Sequence, residues 1–464
     1  MRPQSNIRPL TCFKAYDVRG RLGEELNEDI ATRIGRAFAT VLKATRVVLG
    51  RDPRASSIAL ARAVAEGLMG AGAEVIDLGL CGTEEVYFAT DHFKACGGIC
   101  VTASHNPMDF NGMKMVKSGS APLDPITEFA AIKTCAEQQD FPEAPDQGRI
   151  DTSRRDGARS AYVARVLSFV DVGAFRPMKI VVNAGNGAAG PSFDAIAEAL
   201  SDAGAPIAFH RMHHDPDGAF PNGIPNPLLP ENQPATAHEV VAQKADLGIA
   251  WDGDFDRCFF FDHTGAFVPG EYVVGLLAEV FLAKAPGAKI VHDPRVIWNT
   301  EEIVARLGGV AVMACTGHAF IKQTMRDTGA IYGGEMSAHH YFRDFMACDS
   351  GMIPWLLVLE LLGRKNTNLA EVIAQRHAAF PSSGEINFRV DDPQRAMDAI
   401  KFKFGQMANN QNDTDGLSLT FDDWRLNVRR SNTEPLLRLN IEAKGASVDL
   451  DKRIGQISTI VNNY

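Results

Sequence analysis

The chain has 464 residues, 45% hydrophobic and 22% charged, and 47 basic against 57 acidic side chains give a formal charge of −10. That is enough chain for three or four domains with their own cores, and so acidic a surface excludes nucleic acid as the main partner, because a phosphate backbone demands a basic face. Eight scattered cysteines without a CxxC pair, a polar start (residues 1–10) and no apolar run long enough for a bilayer exclude a disulfide scaffold, a secretory leader and a membrane span, and predict a soluble, cytoplasmic protein with reduced thiols.

In chain order, Asn27 is placed to cap a helix whose first turn is acidic (Glu28, Asp29) and whose face repeats at Ile30, Ile34, Phe38 and Leu42. Residues 46–50 read as a buried strand. A helix starting at Ser57 with Ile58, Ala61, Val64 and Leu68 on one face is expected to stop at Gly72. Strands at 74–78 and 98–102 flank a helix at 84–94. Strand–helix alternation predicts a parallel sheet covered by helices, with ligands beyond the carboxyl ends of the strands.

The pattern returns with strands at 179–183, 206–209 and 247–250 around a helix at 192–200, and again with strands at 289–292 and 310–314 around a helix at 299–307. Residues 215–232, rich in Pro, Gly and Asn, read as a long surface loop. VVLGRDPR (47–54) and IVHDPR (290–295) echo each other and suggest related α/β units. After Ser382 an extended piece (385–390), a helix (393–405), two strand-like runs (417–428 and 436–443) and a terminal helix read as a smaller α+β domain. Boundaries are expected near residues 153, 263 and 378, giving domains 1–153, 154–263, 264–377 and 378–464.

Four segments carry candidate chemistry. Asp252, Asp254 and Asp256 stand at alternate positions, so an extended segment would put three carboxylates on one side, where mutual repulsion calls for a cation with oxygen ligands such as magnesium or calcium. An EF-hand is excluded, because its sixth and twelfth positions would be Arg257 and His263. Arg257 is suited to a phosphate oxygen. The second segment, Thr102-Ala103-Ser104-His105-Asn106-Pro107, lies at a strand end with Lys114 ten residues on; by itself such a serine is an ordinary turn residue. The third, Arg429-Arg430-Ser431-Asn432-Thr433-Glu434-Pro435, sits between two strands and suits an anion, or is a plain hairpin turn. The fourth, 334–340, offers Glu335 and Ser337 to sugar hydroxyls and His339 for proton transfer. Gly185-Asn186-Gly187-Ala188-Ala189-Gly190 fits GxGxxG, but His210-Arg211 stands where a dinucleotide site wants an acid, so the glycines are read as a tight turn.

TASHNP, DGDFDR, GEMSAHH and RRSNTEP, in this order and with FKAYDVRG (13–20) ahead of them, resemble the α-D-phosphohexomutase superfamily over essentially the whole chain. GEMSAHHYFRDF and IVHDPR are similar to its bacterial phosphomannomutase branch. Ala338, Phe255 and Arg295 depart from the wider family, which more often carries GEMSGH, DGDGDR and a lysine there. The resemblance implies three related α/β domains with mixed, mostly parallel sheets and a smaller C-terminal α+β domain around a central cleft. It implies a phosphorylated Ser104, with Asp252, Asp254, Asp256 and the Ser104 phosphate holding one Mg2+. Glu335 and Ser337 would grip the sugar, and Arg429, Ser431, Asn432 and Thr433 the phosphate not being transferred. Tyr16, Arg19, Lys114, Arg257, Arg295, His318 and His339 would line the cleft, with Lys114 and His339 as candidate acid and base. The expected reaction moves phosphate between O6 and O1 of a hexose through a hexose 1,6-bisphosphate. Sugar phosphates are the expected partners, the expected state is monomer or homodimer, and the expected service is GDP-mannose supply. Phosphoglucomutase or dual specificity, a metal-dependent phosphatase and a non-catalytic binding protein are the alternatives.

Overall fold

The computed structural model describes residues 9–144, 146–430, 436–445 and 447–464. They form two compact units, one made of residues 1–266 and 344–364, the other of 267–343 and 365–464.

In chain order the first unit contains β1 (Val18–Arg21), α1 (Glu28–Leu42), β2 (Arg46–Arg51), α2 (Ala55–Gly70), β3 (Glu74–Leu80), α3 (Thr83–His92), β4 (Gly97–Val101), β5 (Phe110–Lys117), α4 (Glu128–Gln138) and β6 (Ile150–Asp151). These strands lie in the order β1-β5-β4-β2-β3-β6. The sheet is mixed and mostly parallel, as the resemblance implied, where the alternation alone predicted a parallel one: β2, β3, β4 and β6 run parallel, while β5 pairs antiparallel with β4 and β1 antiparallel with β5. The strand–helix alternation could not show this, because β4 and β5 are joined by a short polar loop and need no crossover helix.

The Asn27 side chain accepts the Ile30 N–H at 3.0 Å, and Ile30, Ile34 and Phe38 are buried as their spacing requires. In α2 Ala61, Val64 and Leu68 of the expected face are buried, but its first residue is not. Ile58 is 56% exposed while Ser57 and Leu60 are buried, because Ser57 joins a polar cluster: its Oγ contacts Asp52 Oδ1 at 2.5 Å and accepts from Asn111 Nδ2 at 2.9 Å.

The first unit continues with α5 (Arg155–Leu167), β7 (Met178–Asn183), α6 (Ala189–Asp202), β8 (Ile207–Met212), α7 (Pro234–Ala242), β9 (Leu247–Trp251) and β10 (Cys258–Asp262). Here β7 runs parallel to both β8 and β9, and β10 returns antiparallel to β9. Gly185 and Asn186 take φ of +58° and +56° in the tight turn between β7 and α6, the role expected of that glycine run.

The second unit holds β11 (Phe267–Val268), α8 (Gly270–Lys284), β12 (Lys289–His292), α9 (Trp298–Arg306), β13 (Val310–Met313), α10 (His318–Thr328), β14 (Tyr332–Gly334) and β15 (His340–Phe342). β12 pairs parallel with β13 and β14, and β14 antiparallel with β15. The chain then supplies β16 (Cys348–Asp349) and most of α11 (Ile353–Lys365) to the first unit. There Trp355 packs on Phe193 and Phe209, and buried Glu84 accepts the Gly351 and Met352 N–H groups ahead of the helix.

Back in the second unit are α12 (Leu369–Ala379), β17 (Ser382–Arg389), α13 (Pro393–Phe404), β18 (Asn410–Asn412), β19 (Leu417–Thr420), β20 (Trp424–Arg430), β21 (Leu436–Ala443) and α14 (Leu450–Val461). The five strands form an antiparallel sheet in the order β17-β21-β20-β19-β18, with α13 and α14 contributing to its apolar core. Residues 417–428, expected as one run, are two strands with a turn at 421–423. All eight cysteines are free thiols, five of them buried. Among the described residues no helix is long and apolar enough to cross a membrane.

Candidate active site

Ser104 follows β4 with φ of +47° and is 2% exposed. A non-glycine residue in this conformation needs its surroundings to hold it there. The Ser104 N–H donates to Thr102 Oγ1 at 2.9 Å, Asp52 Oδ2 accepts the Ala103 N–H at 3.2 Å, and Arg54 Nη2 donates to the Ser104 carbonyl at 3.0 Å. Asp52 and Arg54 come from the RDPR phrase after β2. The Ser104 hydroxyl lies 2.7 Å from Asp252 Oδ2 and 3.0 Å from His105 Nδ1.

The acidic segment is not extended. The Phe255 N–H donates to the Asp252 carbonyl at 3.1 Å and Phe255 has φ of +44°, so a turn gathers the carboxylates where a pleat was expected. Asp252, Asp254 and Asp256 are 0%, 0% and 1% exposed, with one oxygen from each within 4.8 Å of the others. A Cβ on Gly253 would lie 2.5 Å from the Ser104 carbonyl oxygen, so glycine is what lets the acidic turn close on the serine loop.

Lys114, from β5, donates to Asp254 Oδ2 at 2.8 Å and contacts Asp256 Oδ2. Arg257 Nε donates to Asp252 Oδ2 at 2.8 Å, and Thr83 Oγ1, at the start of α3, to Asp254 Oδ2 at 2.6 Å. Burial works against ionising Asp252, but the Arg257 guanidinium, a hydrogen bond with His105 and the Lys114 ammonium together outweigh it and hold the carboxyl below its usual range. Burial likewise works against charging Lys114; Asp254 and Asp256 overcome it and hold the ammonium well above its ordinary value. Lys114 is therefore charged where it sits between these two carboxylates. Burial and then Arg257 push His105 down to about 4, leaving a neutral imidazole beside the serine.

Three buried carboxylates thus face two cations, and Asp254 Oδ1 is buried without a hydrogen-bond partner. An excess negative charge and an unused oxygen ligand in an all-carboxylate set fit a hard divalent ion of the magnesium or calcium type.

In the second unit, IVHDPR ends β12 as RDPR ends β2. Asp293 Oδ1 accepts the Arg295 N–H at 2.8 Å, as Asp52 Oδ1 accepts that of Arg54 at 3.0 Å. Arg295 Nη2 bonds Asp293 Oδ2 at 2.8 Å and Ser337 Oγ at 3.3 Å. Glu335, 2% exposed, already has both oxygens engaged: Oε1 with the Tyr341 hydroxyl at 2.5 Å and Oε2 with the Gly317 N–H at 3.0 Å. Glu385 draws three guanidinium groups together: Arg429 at 3.0 Å, Arg438 at 3.7 Å and Arg295 at 3.8 Å. Burial, then repulsion from Arg295, lowers the pKa of Arg429.

His318 opens α10, half-buried, and half-buried His339 stacks on Tyr341 with ring centres 6.1 Å apart. Tyr16 and Arg19, in the first unit, are half-buried at and before β1. Ser431, Asn432 and Thr433 lie outside the described residues. The first unit thus brings Ser104, Lys114, Arg257 and the three aspartates together, and the second brings Arg295, Glu335, Ser337 and Arg429 together. Sequence reasoning missed His105, Thr83, Asp52 and Arg54. The repeated D-P-R phrase could have flagged two of these; nothing local marks Thr83, which meets Asp254 only through the fold.

The phosphoglucomutase/phosphomannomutase alpha/beta/alpha domains I, II and III match residues 11–143, 160–265 and 269–380, and that family's C-terminal domain matches 385–454. The chain is 55% identical over 454 residues to a phosphomannomutase of Salmonella montevideo, covering 98% of this chain and 99% of that protein. It is 53% identical over 456 residues to one of Escherichia coli, covering 98% and 100%. A protein of Xanthomonas campestris named for phosphohexose mutases is 54% identical over 452 residues, 97% of this chain and 99% of its own. The crystal structure of a phosphoglucomutase/phosphomannomutase family protein from Burkholderia thailandensis superposes with a TM-score of 0.83 at 32% identity, over 97% of this chain and 96% of that one. The chain belongs to the phosphoglucomutase/phosphomannomutase family, and is a phosphohexomutase, an isomerase-class phosphotransferase.

Proposed function

We propose that the protein interconverts mannose 6-phosphate and mannose 1-phosphate through a phosphoserine at Ser104, supplying GDP-mannose for polysaccharide synthesis. The mannose reading rests on relatives named phosphomannomutase at 53–55% identity over nearly the whole chain. The phosphoserine reading rests on one observation: a buried serine hydroxyl 2.7 Å from the first of three clustered carboxylates, with Arg257 beside it.

The free hydroxyl of the bound hexose phosphate attacks the phosphorus of phospho-Ser104. The P–O bond to serine breaks, and a hexose 1,6-bisphosphate forms. After the sugar turns over, Ser104 Oγ attacks the other phosphorus, the P–O bond to the sugar breaks, and the product carries its phosphate at the new position. In that second half, Asp252 and His105 both lie within hydrogen-bond reach of the serine proton. Arg257 and Lys114 supply positive charge. Asp252, Asp254 and Asp256 would hold magnesium, which when bound neutralises charge on the transferring phosphoryl group. Arg429 would hold the phosphate that is not in transit, Glu335 and Ser337 the sugar, and His339 would exchange the proton of the sugar hydroxyl.

Intact-mass analysis of the purified protein tests the core of this reading: a fraction should carry one phosphate, mapped to Ser104. Ser104→Ala should lower turnover by several orders of magnitude with an unchanged fold by circular dichroism; a near-normal mutase rate would refute the phosphoserine. A coupled assay with mannose 1-phosphate and glucose 1-phosphate side by side should show the higher kcat/KM for mannose.

A further inference from the structure

Phe255 is the middle residue of the acidic turn that is neither glycine nor aspartate. It holds φ of +44°, a conformation unfavourable for a bulky side chain, and is 0% exposed. Its ring fills a slot opened by an absent side chain: a Cβ on Gly82 would lie 2.1 Å from Phe255 Cε1 and 2.3 Å from Cζ. Gly82 is the N-cap of α3. The next residue, Thr83, is bonded to the same turn twice, its N–H to the Asp254 carbonyl at 3.2 Å and its hydroxyl to Asp254 Oδ2 at 2.6 Å. The other side of the turn is equally close to its neighbour, since a Cβ on Gly351 would lie 2.3 Å from the Phe255 carbonyl oxygen.

We infer that Phe255 and Gly82 form a lock that positions the carboxylates for the divalent ion. The ring pins the turn to the start of α3 and so fixes Asp254 between Thr83 and Lys114 before any ion arrives. A turn held in one conformation binds its ion without spending affinity on ordering itself. Phe255 touches neither ion nor sugar in this role; it is a positioning residue. The inference rests on the reading that Asp252, Asp254 and Asp256 hold a divalent ion.

The test is a mutant cycle read by Mg2+ titration calorimetry on the full chain, freed of bound metal and of phosphate on serine, with thermal unfolding recorded alongside. Phe255→Gly relieves the backbone but removes the ring, and should weaken Mg2+ at least fivefold while the protein stays folded. Gly82→Ala drives a methyl into the ring and should weaken Mg2+ tenfold or more. In the Phe255→Gly background the same methyl meets vacant space, so Gly82→Ala should then cost less than twofold. If Gly82→Ala alone does not fold, rescue of folding in the double variant reports the same coupling, and its failure there counts against the lock. Wild-type affinity in Phe255→Gly, or a Gly82→Ala penalty equal in both backgrounds, would overturn the inference while leaving the metal site intact. A wild-type protein that binds no Mg2+ would overturn the metal reading and the lock together.

Discussion

At the scale of single residues, the site is governed by charge confined out of water. Lys114 is the clearest case, its ammonium lying between Asp254 and Asp256. Replacing it by methionine leaves the carboxylates short of a cation, and removing one partner of a buried pair costs about 3–5 kcal/mol. Lys114→Met should therefore lower the metal-free protein's stability in urea by that order, and saturating Mg2+ should restore part of it; equal losses with and without Mg2+ would contradict a shared carboxylate site. Arg429 tests the other unit. With Arg429→Ala, KM for the sugar phosphate should rise at least tenfold with a smaller change in kcat, and an unchanged KM would remove this arginine from the phosphate site. Much at this scale was legible in the sequence, because three alternate aspartates followed by an arginine have few stable uses without a cation. What escaped was contact across the chain. Thr83 matters through its contact with Asp254, which no local spacing encodes, and His105, next to Ser104 in the chain, through the Arg257 guanidinium that the fold brings to its ring.

At the scale of elements, the hairpin of β14 and β15 carries a buried histidine. His340 Nδ1 is 2.7 Å from the Tyr332 hydroxyl, and burial pushes the imidazole down to about 3. In the unfolded chain the ring takes up a proton near its ordinary value, about 6.5. The unfolded state then binds the proton that the folded state refuses, so stability is fully kept above about pH 6.5 and lost as pH falls toward 3. Urea midpoints measured from pH 7 to pH 5 should fall more steeply in the wild type than in His340→Asn; parallel curves would show that the ring is not the titrating group.

Periodicity found most of the parallel strands, since burial enforces it, but only half of the fourteen helices among the described residues; α4, α5, α7, α8, α10, α11 and α12 went unread. In α2 it misjudged Ile58 alone: Ser57 Oγ donates to Asp52 and accepts from Asn111, which holds Ser57 inside and leaves Ile58 outward. It passed over β1 and β5, which are short or interrupted by polar residues such as Asn111 and Lys114. The D-P-R echo was sounder than its length suggested: in both units the aspartate bonds the arginine N–H two residues on.

At the scale of the whole molecule, the first unit is built from two stretches of chain. Residues 344–364 close it, with Trp251 Nε1 donating to the Gly351 carbonyl at 2.9 Å and Trp355 set against Phe193. Nothing in the hydrophobic pattern distinguishes a helix that completes its own unit from one that completes an earlier one. A chain ending at Ala266 should expose the surface now covered by α11, bind an apolar dye and lose cooperative urea unfolding; a sharp two-state transition would show that surface to be dispensable. The same two-part construction bears on biosynthesis. A ribosome delivers the serine loop and the acidic turn long before it delivers residue 364, so the nascent chain carries an unfinished core through the interval. That interval, rather than the finished enzyme, is when aggregation or capture by a chaperone would act.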